Sequence, residues 1–131
     1  MDKEWKEVRE FHEKFGHPVG EKPRLIEKGR AQKRYNWMLE EINEFLEAVE
    51  KNDIVEEADA MIDVIYFALG TLVEMGIKPD KLFEIVQSAN MSKLWPDGKP
   101  HYAKDGKTIK PSNWEDPHNK LKYAIERMRE N

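Results

Sequence analysis

Two groups of carboxylates in this chain have a spacing suited to joint chemistry. Glu40, Glu41, Glu44 and Glu47 fall within eight residues, and Asp59 and Asp63 follow, four apart, inside an apolar run. Residues four apart share a face of an α-helix. Between Ala58 and Val73 these two aspartates are the only carboxylates, set among Ala60, Met61, Ile62, Val64, Ile65, Tyr66, Phe67, Ala68 and Leu69. A helix that is apolar on nearly every side is expected to be buried. Two acids held there repel one another and lose their hydration. Aspartate is also a poor residue for a helix interior. Something must compensate. A divalent cation would do so, and an oxygen-only ligand set suits Mg²⁺, with Mn²⁺ close behind. A pair of basic partners from another helix, Arg30 or Arg34, is the alternative. Glu56, three residues before Asp59, is either a further ligand or the third residue of a capping box opened by Asp53.

The elements that must position these acids are nearly all helical. Trp5, Val8, Phe11 and Phe15 recur at helical spacing, so a helix is expected over 2–15, ending near Gly16. Residues 16–23 hold two Gly and two Pro and read as a loop. Tyr35, Met38, Ile42, Phe45 and Val49 step by three and four along a second helix, from about 24 to 49, and form its expected core stripe. The glutamates occupy the opposite arc, about 120° wide at ~100° per residue. A third helix is expected from Asp53 to Met75, stopped by Gly76. A fourth starts at Pro79 and shows Leu82, Ile85, Val86 and Ala89 on one face. Residues 95–113 carry three Pro and two Gly and read as an irregular loop, with a small hairpin around Asp105-Gly106. Asp116 and Pro117 begin a last helix that runs to Arg129.

Composition narrows the classes. A chain of 131 residues is expected to be one domain, 1–131, with a core over about 11–94 and a C-terminal loop and helix over 95–131. With no cysteine there are no disulfides, thiolate zinc sites or cysteine nucleophiles. No uncharged apolar run is long enough to span a membrane, and the first ten residues hold no apolar signal core, so a cytoplasmic location is expected. The net charge of −4 hides a strong asymmetry: residues 37–74 carry −10, and the segments 1–36 and 99–131 carry +3 each. An acidic centre between basic flanks suits cations in the middle and an anionic small molecule beside them, and no nucleic-acid polymer is expected as partner. Two other classes compete. In a non-catalytic helical interaction module the acids would simply be solvated. In a di-iron carboxylate bundle a Glu-x-x-His pair is needed on each of two helices, and only Glu115-x-x-His118 has that form here.

Glu40-Glu41-Ile42-Asn43-Glu44, followed by Glu56-Glu57-Ala58-Asp59 and Asp63-Val64-Ile65-Tyr66, resembles the all-α nucleoside triphosphate pyrophosphohydrolases. These include MazG-like proteins, dimeric dUTPases and phosphoribosyl-ATP pyrophosphohydrolases, with the signature E-E-x-x-E and then E-x-x-D. Asn90-Met91-Ser92-Lys93-Leu94 and Asp97-Gly98-Lys99-Pro100 resemble the tail of the MazG-like branch. Aligning Asp63 with the signature aspartate puts Ala60 at the glutamate position, whereas aligning Asp59 puts Glu56 there. The resemblance implies an oligomeric MazG-like bundle of four to five helices, a homodimer or dimer of dimers. It implies hydrolysis of a nucleoside triphosphate between its α and β phosphates, giving monophosphate and pyrophosphate. Glu41, Glu44, Asp59 and Asp63 would hold Mg²⁺, and Glu40 or Glu41 would orient or deprotonate the attacking water. Asn90, Lys93, Lys99 and Arg34 are the candidates to meet the phosphates, and Trp37 is the candidate to stack on the base.

Overall fold

The computed structural model describes residues 1–130. It is all-α apart from one small hairpin. In order, the elements are α1 (Asp2–Phe15), α2 (Lys28–Glu50), α3 (Ile54–Met75), α4 (Asp80–Met91), β1 (His101–Tyr102), β2 (Thr108–Ile109) and α5 (His118–Glu130). The chain divides into two compact units, Met1–Pro79 and Asp80–Asn131, a boundary that falls inside the stretch expected as core. No single described helix is long and apolar enough to cross a membrane.

In the first unit the helix ends follow local chemistry. The Asp53 side chain accepts the Glu56 N–H at the start of α3, so Glu56 is the residue that the cap serves, and its own side chain is exposed. At the other end Gly76 adopts φ 70, a left-handed conformation that favours glycine. A Cβ at Gly76 would also run into the carbonyl of Lys22. The second helix starts at Lys28 rather than near residue 24, because the Glu27 carboxylate caps the N–H groups of Gly29 and Arg30. The residues before it form a strap across the end of α3. Gly20 N–H donates to the Val73 carbonyl, Arg24 N–H to that of Met75, and Arg24 Nε to that of Glu74. These are carbonyls that a helix C-terminus cannot satisfy by itself.

Trp5 and Val8 of α1 pack on Leu69 and Val73 of α3, with Val19 and Leu72 against them. Phe11 meets Tyr66 edge-on near the end of α1. With 14 residues against 22, α1 covers only the C-terminal half of α3. The expectation of a third helix buried on all sides is therefore corrected. Within it only Ala60, Leu69, Gly70, Val73 and Glu74 are buried, while Ile54, Val55, Met61, Ile62 and Ile65 are exposed.

The stripe on α2 is corrected in part: Met38 and Phe45 are half-buried, but the other three residues are not. Tyr35, Ile42 and Val49 are exposed, flanked by exposed Leu39 and Leu46. The side of α2 that packs in the chain is marked by Arg34 and Ala48, the buried residues, with half-buried Glu41 midway between them. At ~100° per residue this side lies about a quarter turn from the apolar stripe. The in-chain side of α2 mixes polar Arg34 and Glu41 with buried Ala48 and with Trp37, whose ring lies 6.0 Å from that of Phe67, while Tyr35, Ile42 and Val49 stay exposed.

In the second unit, the hairpin pairs His101 with Ile109 and Tyr102 with Thr108 around a turn where Gly106 has φ 88. The Trp95 ring stacks on His101 at 4.1 Å and its indole N–H donates to the Ile109 carbonyl. Trp114 donates its indole N–H to the Ala89 carbonyl of α4. Asp116 caps the His118 N–H at the start of α5.

Candidate active site

The acids of α2 and α3 are brought together. The two helices run antiparallel through the short turn at residues 51–53, with Asn52 in a left-handed conformation at φ 53. Glu41 and Glu44 face Asp59 and Asp63 across this pair. Burial, the adjoining Glu44 carboxyl and the charges of Asp63 and Asp59 push Glu41 up to about 7 from an ordinary 4.5. Burial, then the charges of Asp59 and Glu44, also raise Asp63. Glu41 Oε2 is cut off from water and has no hydrogen-bond partner among the described residues. Its polar neighbours, Glu44 and Asp63, are carboxyls that can share a proton with it but cannot donate one when ionised. Glu40 is exposed on the adjoining position of α2, as is Glu47 about two turns further on.

This donor set fits a hard divalent cation. It offers only carboxylate oxygens, one of them buried without a donor, under mutual repulsion that a cation would relieve. As placed, however, no three His, Asp or Glu groups among the described residues form a coordination shell. Closing one would take side-chain rotations at Glu44 and Asp59, both of which are exposed.

The basic partners suggested for Asp59 and Asp63 stand elsewhere. Glu74, fully buried, takes both Arg30 and Arg34: Arg30 Nε and Nη2 donate to its two oxygens at 2.9 Å each, and Arg34 Nη1 donates at 2.6 Å. Burial works to raise the Glu74 carboxyl, but the Arg30 hydrogen bonds and the Arg34 charge outweigh it and hold it below the usual range. Arg34 is 4% exposed. Its Nε donates to the Thr71 hydroxyl at 2.8 Å and its Nη2 to the Phe67 carbonyl at 3.0 Å. Buried His12 adjoins the cluster, its Nδ1 3.8 Å from Glu74 and 2.9 Å from the Pro18 carbonyl, and desolvation lowers its pKa. Arg34 is thus engaged on every nitrogen inside the protein rather than presented to a phosphate. The half-buried Trp37 ring lies near both guanidiniums, 5.1 Å from Arg30 and 5.7 Å from Arg34, and 6.0 Å from Phe67.

Glu74 was not singled out by the spacing of acids. Only weak signals mark it in the sequence: a carboxylate in the last turn of a helix opposes the helix dipole, and Gly70 interrupts a strong helical pattern. The remaining candidates lie in the second unit. Lys93 Nζ sits 5.7 Å from the Trp114 ring centre, Asn90 is exposed on the last turn of α4, and the Lys99 N–H donates to the Asp97 carboxylate at 2.9 Å.

An all-α fold with Glu41 and Glu44 facing Asp59 and Asp63 across two antiparallel helices is the arrangement expected of the helical pyrophosphohydrolases, and the comparisons with known proteins give the class. Residues 8–90 match the phosphoribosyl-ATP pyrophosphohydrolase family, and the chain belongs to it. It is a hydrolase of pyrophosphate bonds. Among solved structures it is similar to a candidate NTP pyrophosphohydrolase from Exiguobacterium sp. 255-15, at 33% identity over 97% of this chain and 96% of that one, with a TM-score of 0.55. No curated protein matches the chain.

Proposed function

We propose that this protein hydrolyses a nucleoside or deoxynucleoside triphosphate between the α and β phosphates in a Mg²⁺-dependent reaction. Mn²⁺ is the natural substitute. The observation that supports this most is the Glu41–Glu44–Asp59–Asp63 cluster with its donorless buried oxygen. Glu41, Glu44, Asp59 and Asp63 would hold the cation. When bound, it would neutralise charge on the phosphate oxygens and make water easier to ionise. Glu40 or Glu41 orients the attacking water and takes its proton. Water oxygen bonds to the α phosphorus, the bond from that phosphorus to the bridging oxygen breaks, and pyrophosphate leaves with the bridging oxygen. Asn90, Lys93 and Lys99, expected from the sequence to meet the phosphates, all belong to the second unit. Trp37, half-buried and beside two guanidiniums, is the candidate to meet the base.

The exposed stripes of α2 and α3 support a homodimer or a dimer of dimers. Leu39, Ile42, Leu46 and Val49 on one helix and Ile54, Val55, Met61, Ile62 and Ile65 on the other form more apolar surface than a lone chain ordinarily leaves in water.

The deciding experiment is a pyrophosphate-release screen over canonical and damaged triphosphates and phosphoribosyl-ATP, with Mg²⁺ and with EDTA. Monophosphate plus pyrophosphate, lost in EDTA, is expected. Diphosphate plus inorganic phosphate would reject α–β cleavage, and turnover undiminished by EDTA would reject the metal.

A further inference from the structure

The Arg34–Glu74 cluster lies on the same helix faces as the acids, at matching distances. Arg34 precedes Glu41 by seven residues on α2, and Gly70 follows Asp63 by seven on α3. In an antiparallel pair the guanidinium over Gly70 therefore stands about two turns, ~10 Å, from the acid pair on both helices. The site around Arg34 is built to one position. Thr71 Oγ, the Phe67 carbonyl and the Glu74 carboxylate each take a different nitrogen of its fork. A Cβ on Gly70 would lie 2.5 Å from Arg34 Nη2 and 2.9 Å from His12 Nε2, so the helix surface is kept bare where the guanidinium rests. The packed apolar cluster of this unit lies on the α1 side of α3, so it does not set the position of α2. A slip of α2 by one residue would move Glu41 about 1.5 Å along α3, enough to spoil a ligand set.

We propose that Arg34, held by Glu74, Thr71 and Phe67 over Gly70, is a positioning residue that fixes the register of α2 on α3 and so keeps Glu41 and Glu44 opposite Asp59 and Asp63. This rests on the reading of those acids as the cation site. A planar fork with three fixed acceptors specifies a register more tightly than apolar contact does, because each bond fails when the helix slides.

The test is Mn²⁺ affinity of the nucleotide-free protein, followed by the Mn²⁺ paramagnetic resonance signal, together with kcat and KM. Arg34→Lys keeps the charge but loses the fork. Thr71→Val removes one acceptor with little change of shape and serves if Arg34→Lys does not fold. Val8→Ala loosens the same unit from its α1 side and is the stability control. The expected result is Mn²⁺ binding about tenfold weaker in Arg34→Lys and severalfold weaker in Thr71→Val, with kcat lowered and KM for the nucleotide little changed. Val8→Ala should bind Mn²⁺ like the wild type. Wild-type Mn²⁺ affinity in a folded Arg34→Lys or, where that variant does not fold, in Thr71→Val would overturn the proposal. Equal weakening by Val8→Ala at matched stability would do the same. A wild type that binds no Mn²⁺ would remove the cation reading itself, and this inference with it.

Discussion

At the scale of the residue, Glu41 is a carboxyl held among other carboxyls, with burial adding to their repulsion. Its folded value of about 7 stands above the ordinary 4.5. Between those values the folded chain keeps a proton that the unfolded chain releases. Stability from this group is therefore full below about pH 4.5 and is lost as pH rises through about 7, by on the order of 1–2 kcal/mol after screening by solvent. His12, whose pKa desolvation lowers, acts with the opposite sign, its contribution being lost as pH falls, so the comparison must isolate Glu41. In EDTA, urea unfolding of wild type and Glu41→Gln should diverge from pH 5 to pH 8, the wild type losing ground. Parallel pH curves would show that Glu41 titrates normally. Asp63→Asn and Glu44→Gln should each abolish pyrophosphate release while leaving the metal-free protein as stable as before or about 1 kcal/mol more so. A marked drop in melting temperature for Asp63→Asn would mean that Asp63 has a cationic partner instead. That these acids share helix faces was legible in the sequence from their spacing at three and four residues. Glu74 was not, because one glutamate near a helix end looks like any solvated residue until its partners, 40 and 44 positions away, are known.

At the scale of the element, the helix boundaries were legible wherever a cap or a left-handed glycine marked them, as at Gly16, Asp53 and Gly76. The start of α2 was misplaced by four residues, since the 24–27 segment is drawn into contacts with α3 that lie far off in sequence. The face of α2 was misjudged for a different reason. Periodicity reports which side avoids water and does not tell an intrachain partner from a second molecule. Gly70 gives this scale its prediction. In an ordinary helix interior, Gly→Ala gains about 1 kcal/mol. Here the added methyl meets Arg34 and His12, whose positions are fixed by hydrogen bonds. Gly70→Ala should therefore destabilise by about 1–3 kcal/mol, read by urea unfolding. A stabilised variant would show that the guanidinium gives way freely.

At the scale of the whole molecule, the sequence made it legible that one short chain could not cover its third helix. The division at Pro79 was not legible, because no composition break marks it. A homo-oligomer should melt at a temperature that rises with protein concentration. Ile62, 60% exposed, gives a clean probe. Ile62→Lys should be nearly neutral within the chain, where surface changes stay within about ±0.5 kcal/mol, yet should shift sedimentation toward a single chain near 15.5 kDa. A wild type already sedimenting as an active species of that mass would refute the assembly.

The strap over the end of α3 has a consequence for exchange with solvent. Gly20 and Arg24 belong to a segment without regular structure, where backbone hydrogens ordinarily swap for deuterium within the opening time of a loop. Both are bonded to carbonyls of α3, so their release requires the C-terminal turn of that helix to part from the strap. Their deuterium uptake should track the amides around Leu72 and Val73 rather than those of exposed neighbours such as Glu21 and Leu25. Two irregular residues would then serve as a clock for the opening of the helix that carries Glu74.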